Sequence, residues 1–314
     1  MSIKVYEERI DIVKGLAIIL VVIGHTIQFC DLNGGVLNPV YQWIYSFHMG
    51  LFFFCSGYLF TWIDFRNGAW PIIYQIGKKF RRILIPFLVW GCIYFTFCSI
   101  QFDVNHLIDK IIIHPIFGLW FLEHLFVFNI LFMLLTGLFN LIDRSKFRNA
   151  DVYLILVGIL LLLVSRNFAM FFIGSLVGKS DRIKVLFSNH KIASFAFFTL
   201  ILSILIPDLL DRRIVCISAV IVFFNIGGIQ DLKQPLKKEL SLFGKNSMQI
   251  FILHPLLLYG MGGVIHVYGI DHILLFVECL ILAVPICYLC ILSAKLCNIG
   301  YVTAVLFGDK IKKA

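Results

Sequence analysis

Long apolar stretches separated by short polar segments run along the whole chain. A membrane-spanning helix needs roughly 20 mostly apolar residues. Ten stretches approach or reach that length: 10–30, 42–62, 83–100, 119–142, 151–165, 167–178, 191–207, 214–229, 246–266 and 272–297. We find no linker, low-complexity tract or internal repeat between them. The pattern predicts an all-α polytopic membrane protein of about ten transmembrane helices in one bundle, a single domain over 1–314 without a soluble domain.

The composition agrees with a protein that is dissolved in a bilayer. Hydrophobic residues make up 60% of the chain and charged residues only 14%, whereas soluble domains carry about 25% charged residues. The formal net charge of +9 could indicate nucleic acid as a partner. Cytoplasmic loops of membrane proteins also collect Lys and Arg, so we expect membrane lipids and no nucleic acid.

The distribution of Lys and Arg predicts the orientation. If the N-terminus is cytoplasmic and all ten stretches cross the membrane, 23 of the 27 Lys and Arg residues fall on the cytoplasmic side. The four on the other side are Lys110, Arg166, Arg212 and Arg213. This imbalance is typical of cytoplasmic loops, so both termini are predicted to be cytoplasmic.

The stretches 151–165 and 167–178 are the shortest. As helices they would reach about 22 and 18 Å, less than the roughly 30 Å of a hydrocarbon core. They could instead form one kinked span of about 28 residues. That alternative would reverse every later loop, so the charge distribution favours two short helices.

Three ionisable residues share one face of the first stretch. At 100° per residue, Asp11, Lys14 and His25 fall within an arc of about 60°, and His25 lies about 16 Å beyond Lys14. Ionisable groups inside a bilayer are energetically costly and therefore mark candidate functional sites. Gly15 and Gly24 would let another helix or a ligand approach this helix closely.

Other polar residues occur at similar predicted depth. His48, Glu123 and His124 are expected in the outer part of the membrane with His25, and together they suggest one polar chamber. Each also has a structural alternative: an interfacial position for these three, and a helix kink at Pro255 for His254. Candidate supporting residues are Ser56, beside Gly57, and Trp120, which could equally be an interfacial anchor.

The basic cluster at 78–82 has two functional interpretations. Lys78, Lys79, Arg81 and Arg82 could anchor lipid headgroups or bind a polyphosphate ligand. Cys287 and Cys290 form a CxxC pair inside a continuous apolar helix, which indicates packing rather than redox chemistry or a metal site. We expect no metal.

Six short motifs together resemble the acyltransferase-3 family of bacterial membrane O-acyltransferases, close to its fucose 4-O-acetylase-like branch. The resemblance runs from residue 9 to about 297. Its motifs are RIDIVKGLAIILVVIGHT (9–26), FFFCSGYLF (52–60), Arg81-Arg82 before Pro86, LWFL (119–122), Phe171 to Gly174, and FGKNSMQIFILHPL (243–256). Lys14 stands where many members have Arg, so bidentate anion binding is lost. We expect no soluble periplasmic domain after the last stretch, in contrast to the fused members.

The resemblance implies acetyl transfer from cytoplasmic acetyl-CoA to a hydroxyl of an extracytoplasmic sugar, in the bacterial cytoplasmic membrane. It implies that Lys14, Lys78, Lys79, Arg81 and Arg82 bind the donor and that His25 is the general base or the acyl carrier. Glu123 would orient His25 or bind the acceptor. Asp11, His48, Ser56, Trp120, His124 and His254 would support the substrates. A transporter or flippase for an anionic or sugar-containing solute is the main alternative. The acceptor and the oligomeric state stay open.

Overall fold

The apolar stretches of the sequence fold into helices. The computed structural model describes residues 8–31, 35–60, 70–98, 113, 115, 118–141, 161, 164–206, 209–261, 266–267, 271–297 and 301–308. The α-helices are α1 Glu8–Cys30, α2 Pro39–Tyr58, α3 Trp70–Lys79, α4 Ile85–Cys98, α5 Trp120–Leu141, α6 Arg166–Lys179, α7 Asp181–Phe187, α8 His190–Leu205, α9 Arg212–Gly227, α10 Gln234–Lys245, α11 Ser247–Met261, α12 His272–Leu296 and α13 Tyr301–Phe307. Within these residues the β-structure is one bridge between Asp31 and Val267.

Four helices in the described part of the chain are long and apolar enough to cross a membrane. They are Glu8–Cys30, Trp70–Phe97, Trp120–Gly137 and His272–Leu296. The pair α7 and α8, bent by 50°, could form a fifth crossing. These helices support a multi-pass membrane protein.

The prediction of ten crossings is not settled by the helix lengths. The helices α6, α9 and α11 have 14, 16 and 15 residues and reach about 21 to 24 Å. Most of the stretch 151–165 lies outside the described residues. Ser165 has an extended backbone and its side chain accepts a hydrogen bond from the amide of Phe168, so α6 begins as a separate helix there.

The stretch predicted at 83–100 begins earlier in the structure. Its helix starts at Trp70 and continues to Phe97, passing through a π-helical turn at Phe80–Leu84. The basic residues before Ile83 lower the local hydropathy, so the apolar pattern did not show that the helix begins earlier. Long Lys and Arg side chains can follow a helix surface while their charges reach water.

The chain forms two compact units that alternate along the sequence. Unit 1 comprises Met1–Leu59 and Asp151–Leu292, and unit 2 comprises Phe60–Ala150 and Ser293–Ala314. The single domain expected over 1–314 stays a prediction.

Helix α1 is the centre of unit 1. It packs against α2, α9, α10 and α11, and 78% of its apolar span is buried. A helix surrounded by other helices must be apolar on nearly all sides, which explains its uninterrupted run from Ala17 to Ile23.

Glycines set the closest helix contacts of unit 1. A Cβ atom at Gly57 would overlap the backbone of Phe171, and one at Gly174 would overlap the backbone of Phe54. These reciprocal contacts bring α2 and α6 together at backbone distance, as small residues do between membrane helices. Gly15 lies in the same way against the backbone of Leu240 in α10, as the sequence suggested.

In unit 2 the short helix α13 folds back onto α4 and the π-helical turn. The indole nitrogen of Trp90 donates a hydrogen bond to the carbonyl of Leu306, at 2.8 Å. Gly308 has a positive φ of 66° and lies against the backbone carbonyl of Arg82. Only glycine adopts that backbone conformation without strain, so Gly308 ends α13 against the turn.

Candidate active site

His25 lies in the second half of α1 and its side chain is half-buried. Its Nδ1 is 3.0 Å from Oε1 of Gln28, and its Nε2 is 3.3 Å from the hydroxyl oxygen of Tyr45. A Cβ atom at Gly24 would come within 2.9 Å of the Tyr45 ring. The glycine next to His25 therefore lets this tyrosine reach the imidazole.

His254 of α11 is the second imidazole of the site. It is 1% exposed, and its ring centre lies 5.0 Å from that of His25. Its Nδ1 lies 2.8 Å from the carbonyl oxygen of Ile250. A carbonyl can only accept, so Nδ1 carries the proton and Nε2 of the neutral ring carries a lone pair. Among the described residues this Nε2 has no hydrogen-bond partner.

His48 of α2 is the third imidazole, with 2% exposure. Its Nδ1 donates to the carbonyl of Ile44 at 2.9 Å, and its ring centre is 4.4 Å from that of Tyr45. We call His25, Tyr45, His48 and His254 the histidine cluster. It joins three helices, α1, α2 and α11, around one half-buried imidazole.

An ion pair occupies the other end of the same helix. Nζ of Lys14 is 2.7 Å from Oδ1 of Asp11, so Lys14 balances the charge of Asp11. Gly244 packs against the backbone of Asp11. The segment 243–256 therefore follows α1 from the Asp11 end, at Gly244, to the His25 end, at His254.

The predicted acceptor-side residues of α5 belong to unit 2. His124 is exposed, and Trp120 and Glu123 are half-buried. Nδ1 of His124 donates to the carbonyl of Trp120 at 2.9 Å, and the two rings meet edge to face with centres 5.3 Å apart. The chamber that would join Glu123 and His124 to His25 stays a prediction.

The basic residues of 78–82 are also in unit 2. Lys78 and Lys79 end α3, and Arg81 and Arg82 lie in the π-helical turn. Arg81 is exposed and the other three are half-buried. Single π-turns inside α-helices are frequent at functional sites. Ser56 is half-buried on α2 of unit 1, beside the Gly57 contact with α6.

Sequence reasoning missed Tyr45. Tyr41, Tyr45 and His48 follow one another at spacings of four and three, which places them on one face of a helix. The rings of Tyr41 and Tyr45 stack with centres 3.9 Å apart. This aromatic face, next to a histidine of a predicted membrane helix, could have identified Tyr45 as a site residue from the sequence. Over the described residues, no group of three or more His, Cys, Asp or Glu side chains is placed to hold a metal ion.

Comparison with known proteins assigns the chain to a family. The family model described as an acyltransferase domain, of the acyltransferase-3 type, matches residues 7–292. The chain belongs to this acyltransferase family. Membership in the fucose 4-O-acetylase-like branch stays a prediction.

Two relatives carry the name nodulation protein NolL. The protein from Mesorhizobium japonicum is 32% identical over 133 residues, covering 40% of this chain and 35% of the relative. The protein from Sinorhizobium fredii is 39% identical over 83 residues, covering 26% of this chain and 22% of the relative. The matched segments thus span about a third or less of each relative's length. No solved structure matches the chain.

Proposed function

We propose that this protein is a membrane O-acetyltransferase. It moves an acetyl group from cytoplasmic acetyl-CoA to a hydroxyl of an extracytoplasmic sugar, on a cell-surface polysaccharide or a lipid-linked glycan, in the bacterial cytoplasmic membrane. Membership in the acyltransferase family supports the reaction class. The observation that carries the assignment of the site is the contact between His25 and the buried His254, whose ring centres are 5.0 Å apart.

His25 is the proposed general base. When Nδ1 donates to Gln28, Nε2 holds the lone pair that can take a proton. A sugar hydroxyl loses its proton to Nε2 as its oxygen attacks the thioester carbonyl carbon, so a C–O bond forms and the C–S bond breaks. The imidazolium then returns the proton to the leaving thiolate of CoA. A two-step route with the acetyl group carried on His25 needs the same residues.

His254 is proposed to position the acceptor. Its Nε2 is buried and can accept a hydrogen bond, and a buried acceptor left unsatisfied costs free energy. A second hydroxyl of the acceptor sugar, next to the one whose proton His25 takes, would donate a hydrogen bond to this nitrogen. The structure of the cluster thus favours binding of a hydroxyl beside the base.

The donor is proposed to bind with its phosphates at the basic residues Lys78, Lys79, Arg81 and Arg82. Its thioester would lie beside His25, with Lys14 and its partner Asp11 along the same face of α1. The π-helical turn of Arg81 and Arg82 supports a role beyond anchoring. On the acceptor side we place His48, Trp120, Glu123 and His124, with Glu123 binding hydroxyls or orienting His25. Ser56 is proposed to support the substrates.

The proposed topology has ten crossings and cytoplasmic termini. Contacts within unit 1 agree with the predicted sides. Arg9 donates to Ser188 at 3.1 Å, and both are predicted to be cytoplasmic. Trp43 donates to Ser203 at 3.1 Å, and both are predicted at the outer end. These contacts agree with the predicted relative sides of the helix ends in unit 1, and the ten crossings and the cytoplasmic termini stay proposals.

Replacement of His25 tests the catalytic assignment. In cells, His25→Ala should abolish the O-acetylation of surface glycans that depends on this protein, since a positioned general base contributes about 10²- to 10⁴-fold. Mass spectrometry of the glycans measures the loss. His190→Ala, at the exposed start of α8, is the matched control and should retain acetylation. Normal acetylation with inserted His25→Ala protein would contradict the assignment.

A further inference from the structure

A basic cleft outside the histidine cluster lies at one end of unit 1. It has a volume of about 280 Å³ and is lined by Glu8, Arg9, Lys184, Gly227, Gly228, Ile229, Gln230 and Lys237. The three cations come from three helices, α1, α7 and α10. Three cations against one carboxylate leave a formal charge of +2 among the lining residues, and the proposed reaction does not use them.

The cations are held in place by specific contacts. Nη1 of Arg9 donates to Oγ of Ser188 at 3.1 Å, and its guanidinium carbon is 4.5 Å above the centre of the Phe224 ring. A Cβ atom at Gly228 would overlap this guanidinium, so the arginine occupies space that this glycine leaves open. Ser188 uses one of the five N–H donors of the guanidinium, and the planar fork suits phosphate oxygens.

The other two cations are also fixed. Nζ of Lys237 is 2.9 Å from Oε2 of Glu8, and Nζ of Lys184 is 5.7 Å from the centre of the Tyr58 ring. An aromatic face attracts a cation. The wall of the cleft therefore holds three cations and one carboxylate in a defined arrangement.

The cleft is separated from the proposed reaction path. Arg9 and His25 are 16 positions apart on α1, which corresponds to about 24 Å along the axis and about 160° around it. Because α1 is enclosed by other helices, a donor on the Lys14–His25 face would not pass through the cleft. The cleft thus lies on a different side of α1 from the face along which the donor is proposed to bind.

Exposed aliphatic side chains flank the cations. Val185, Ile229 and Leu236 are 70%, 46% and 50% exposed, and two of them adjoin Lys184 and Lys237 in the chain. The cleft lies where the apolar helix α1 begins and α9 ends, on the side predicted to be cytoplasmic. A phosphate group attached to acyl chains matches both the charge and these apolar neighbours, and basic pockets between membrane helices bind such headgroups.

We propose that this cleft binds the phosphate headgroup of an anionic phospholipid. The phosphate accepts hydrogen bonds from Arg9 and Lys237, with Lys184 completing the positive wall, and the acyl chains lie along Val185 and Leu236. The bound lipid ties α1, α7 and α10 together at this end of unit 1. The inference is independent of acyl transfer, because lipid binding is measured without acetyl-CoA.

Lipid titration of the purified full chain tests the proposal. Native mass spectrometry should give tighter binding of phosphatidylglycerol than of phosphatidylcholine. The double variant Arg9→Gln, Lys237→Gln should weaken phosphatidylglycerol binding about tenfold or more, since each cation near an anionic headgroup contributes on the order of 1 kcal/mol. The charge-matched control Lys233→Gln, Lys238→Gln removes two exposed cations outside the cleft and should bind as the unchanged protein does.

Three results would overturn the proposal. One is equal binding of the two lipids by the unchanged protein, and another is equal loss in the two double variants. The third is displacement of phosphatidylglycerol by adenosine 3′,5′-bisphosphate, which would indicate that the cleft binds the nucleotide part of acetyl-CoA. If Arg9→Gln, Lys237→Gln does not fold, Lys184→Gln, Lys237→Gln takes its place against the same control.

Discussion

His254 is the residue whose substitution best separates a functional role from a structural one. His254→Phe keeps a ring of similar size, removes the unsatisfied Nε2 and loses the hydrogen bond to Ile250. Removal of the unsatisfied nitrogen stabilises the folded protein, and loss of the hydrogen bond destabilises it. The free energy of unfolding should therefore change by less than about 1.5 kcal/mol. The rate of acetyl transfer should fall about tenfold or more, which corresponds to roughly 1.4 kcal/mol in the transition state.

Purified variants in detergent allow both quantities to be measured. His254→Gln, whose amide can still accept a hydrogen bond near the position of Nε2, should recover part of the rate. His190→Phe is the control for a histidine outside the cluster. If the His254→Phe protein has unchanged stability and an unchanged rate of acetyl transfer, His254 has no role in the reaction.

Residue-level prediction succeeded where the relevant contacts are local. Asp11 and Lys14 are one helical turn apart, so helix periodicity alone placed them together, and the structure has their ion pair at 2.7 Å. The contact of His25 with His254 joins residues far apart in the chain. It depends on how α11 packs against α1, which no local pattern encodes.

At the scale of helices, the glycine contacts between α2 and α6 should contribute strongly to stability. Gly174→Ala places a methyl group against the backbone of Phe54, and the helices must move apart because backbone atoms cannot yield. We expect a loss of about 1 to 3 kcal/mol, measured as a lower apparent Tm in detergent.

Gly260→Ala is the matched control for this effect. Gly260 lies in α11, and a Cβ atom there has no neighbour within 4 Å among the described residues. Since alanine is the better helix former by about 1 kcal/mol, this variant should be neutral or slightly more stable. Equal Tm values for the two variants would show that the α2–α6 contact is less close than described.

The sequence predicted helices better than their ends. The apolar pattern located α1 closely, because its polar boundaries coincide with the helix ends. It placed the start of the third stretch at residue 83, whereas the helix begins at Trp70. The basic residues at 78–82 interrupt the hydropathy but not the backbone. The helix α13, at Tyr301–Phe307, lies beyond the last predicted stretch.

At the scale of the whole molecule, the topology can be tested by chemical labelling. Single cysteines would replace Leu209 and Gln230, which flank α9, in a variant without its native cysteines. A membrane-impermeant maleimide added to intact cells should label Leu209→Cys and leave Gln230→Cys unlabelled until the cells are opened. Labelling of Gln230→Cys alone would reverse the proposed orientation of α9.

The predicted orientation depends on charge, which the sequence states directly, and it stays a prediction. The number of crossings depends on helix length and bilayer thickness together. Helices of 14 to 16 residues such as α6 and α9 require local thinning of the bilayer or shelter among other helices. Counting apolar stretches could not decide between these arrangements.

The consumption of acetyl-CoA by the purified protein tests the central claim most directly. Protein in nanodiscs would be mixed with acetyl-CoA and a glycan extract, and the release of the free CoA thiol would be followed. We predict thiol release that needs both the extract and His25, and that is lost in His25→Ala but retained in His190→Ala. No thiol release above the His25→Ala level, with uptake of solute by protein-containing vesicles, would contradict the account and identify a transporter.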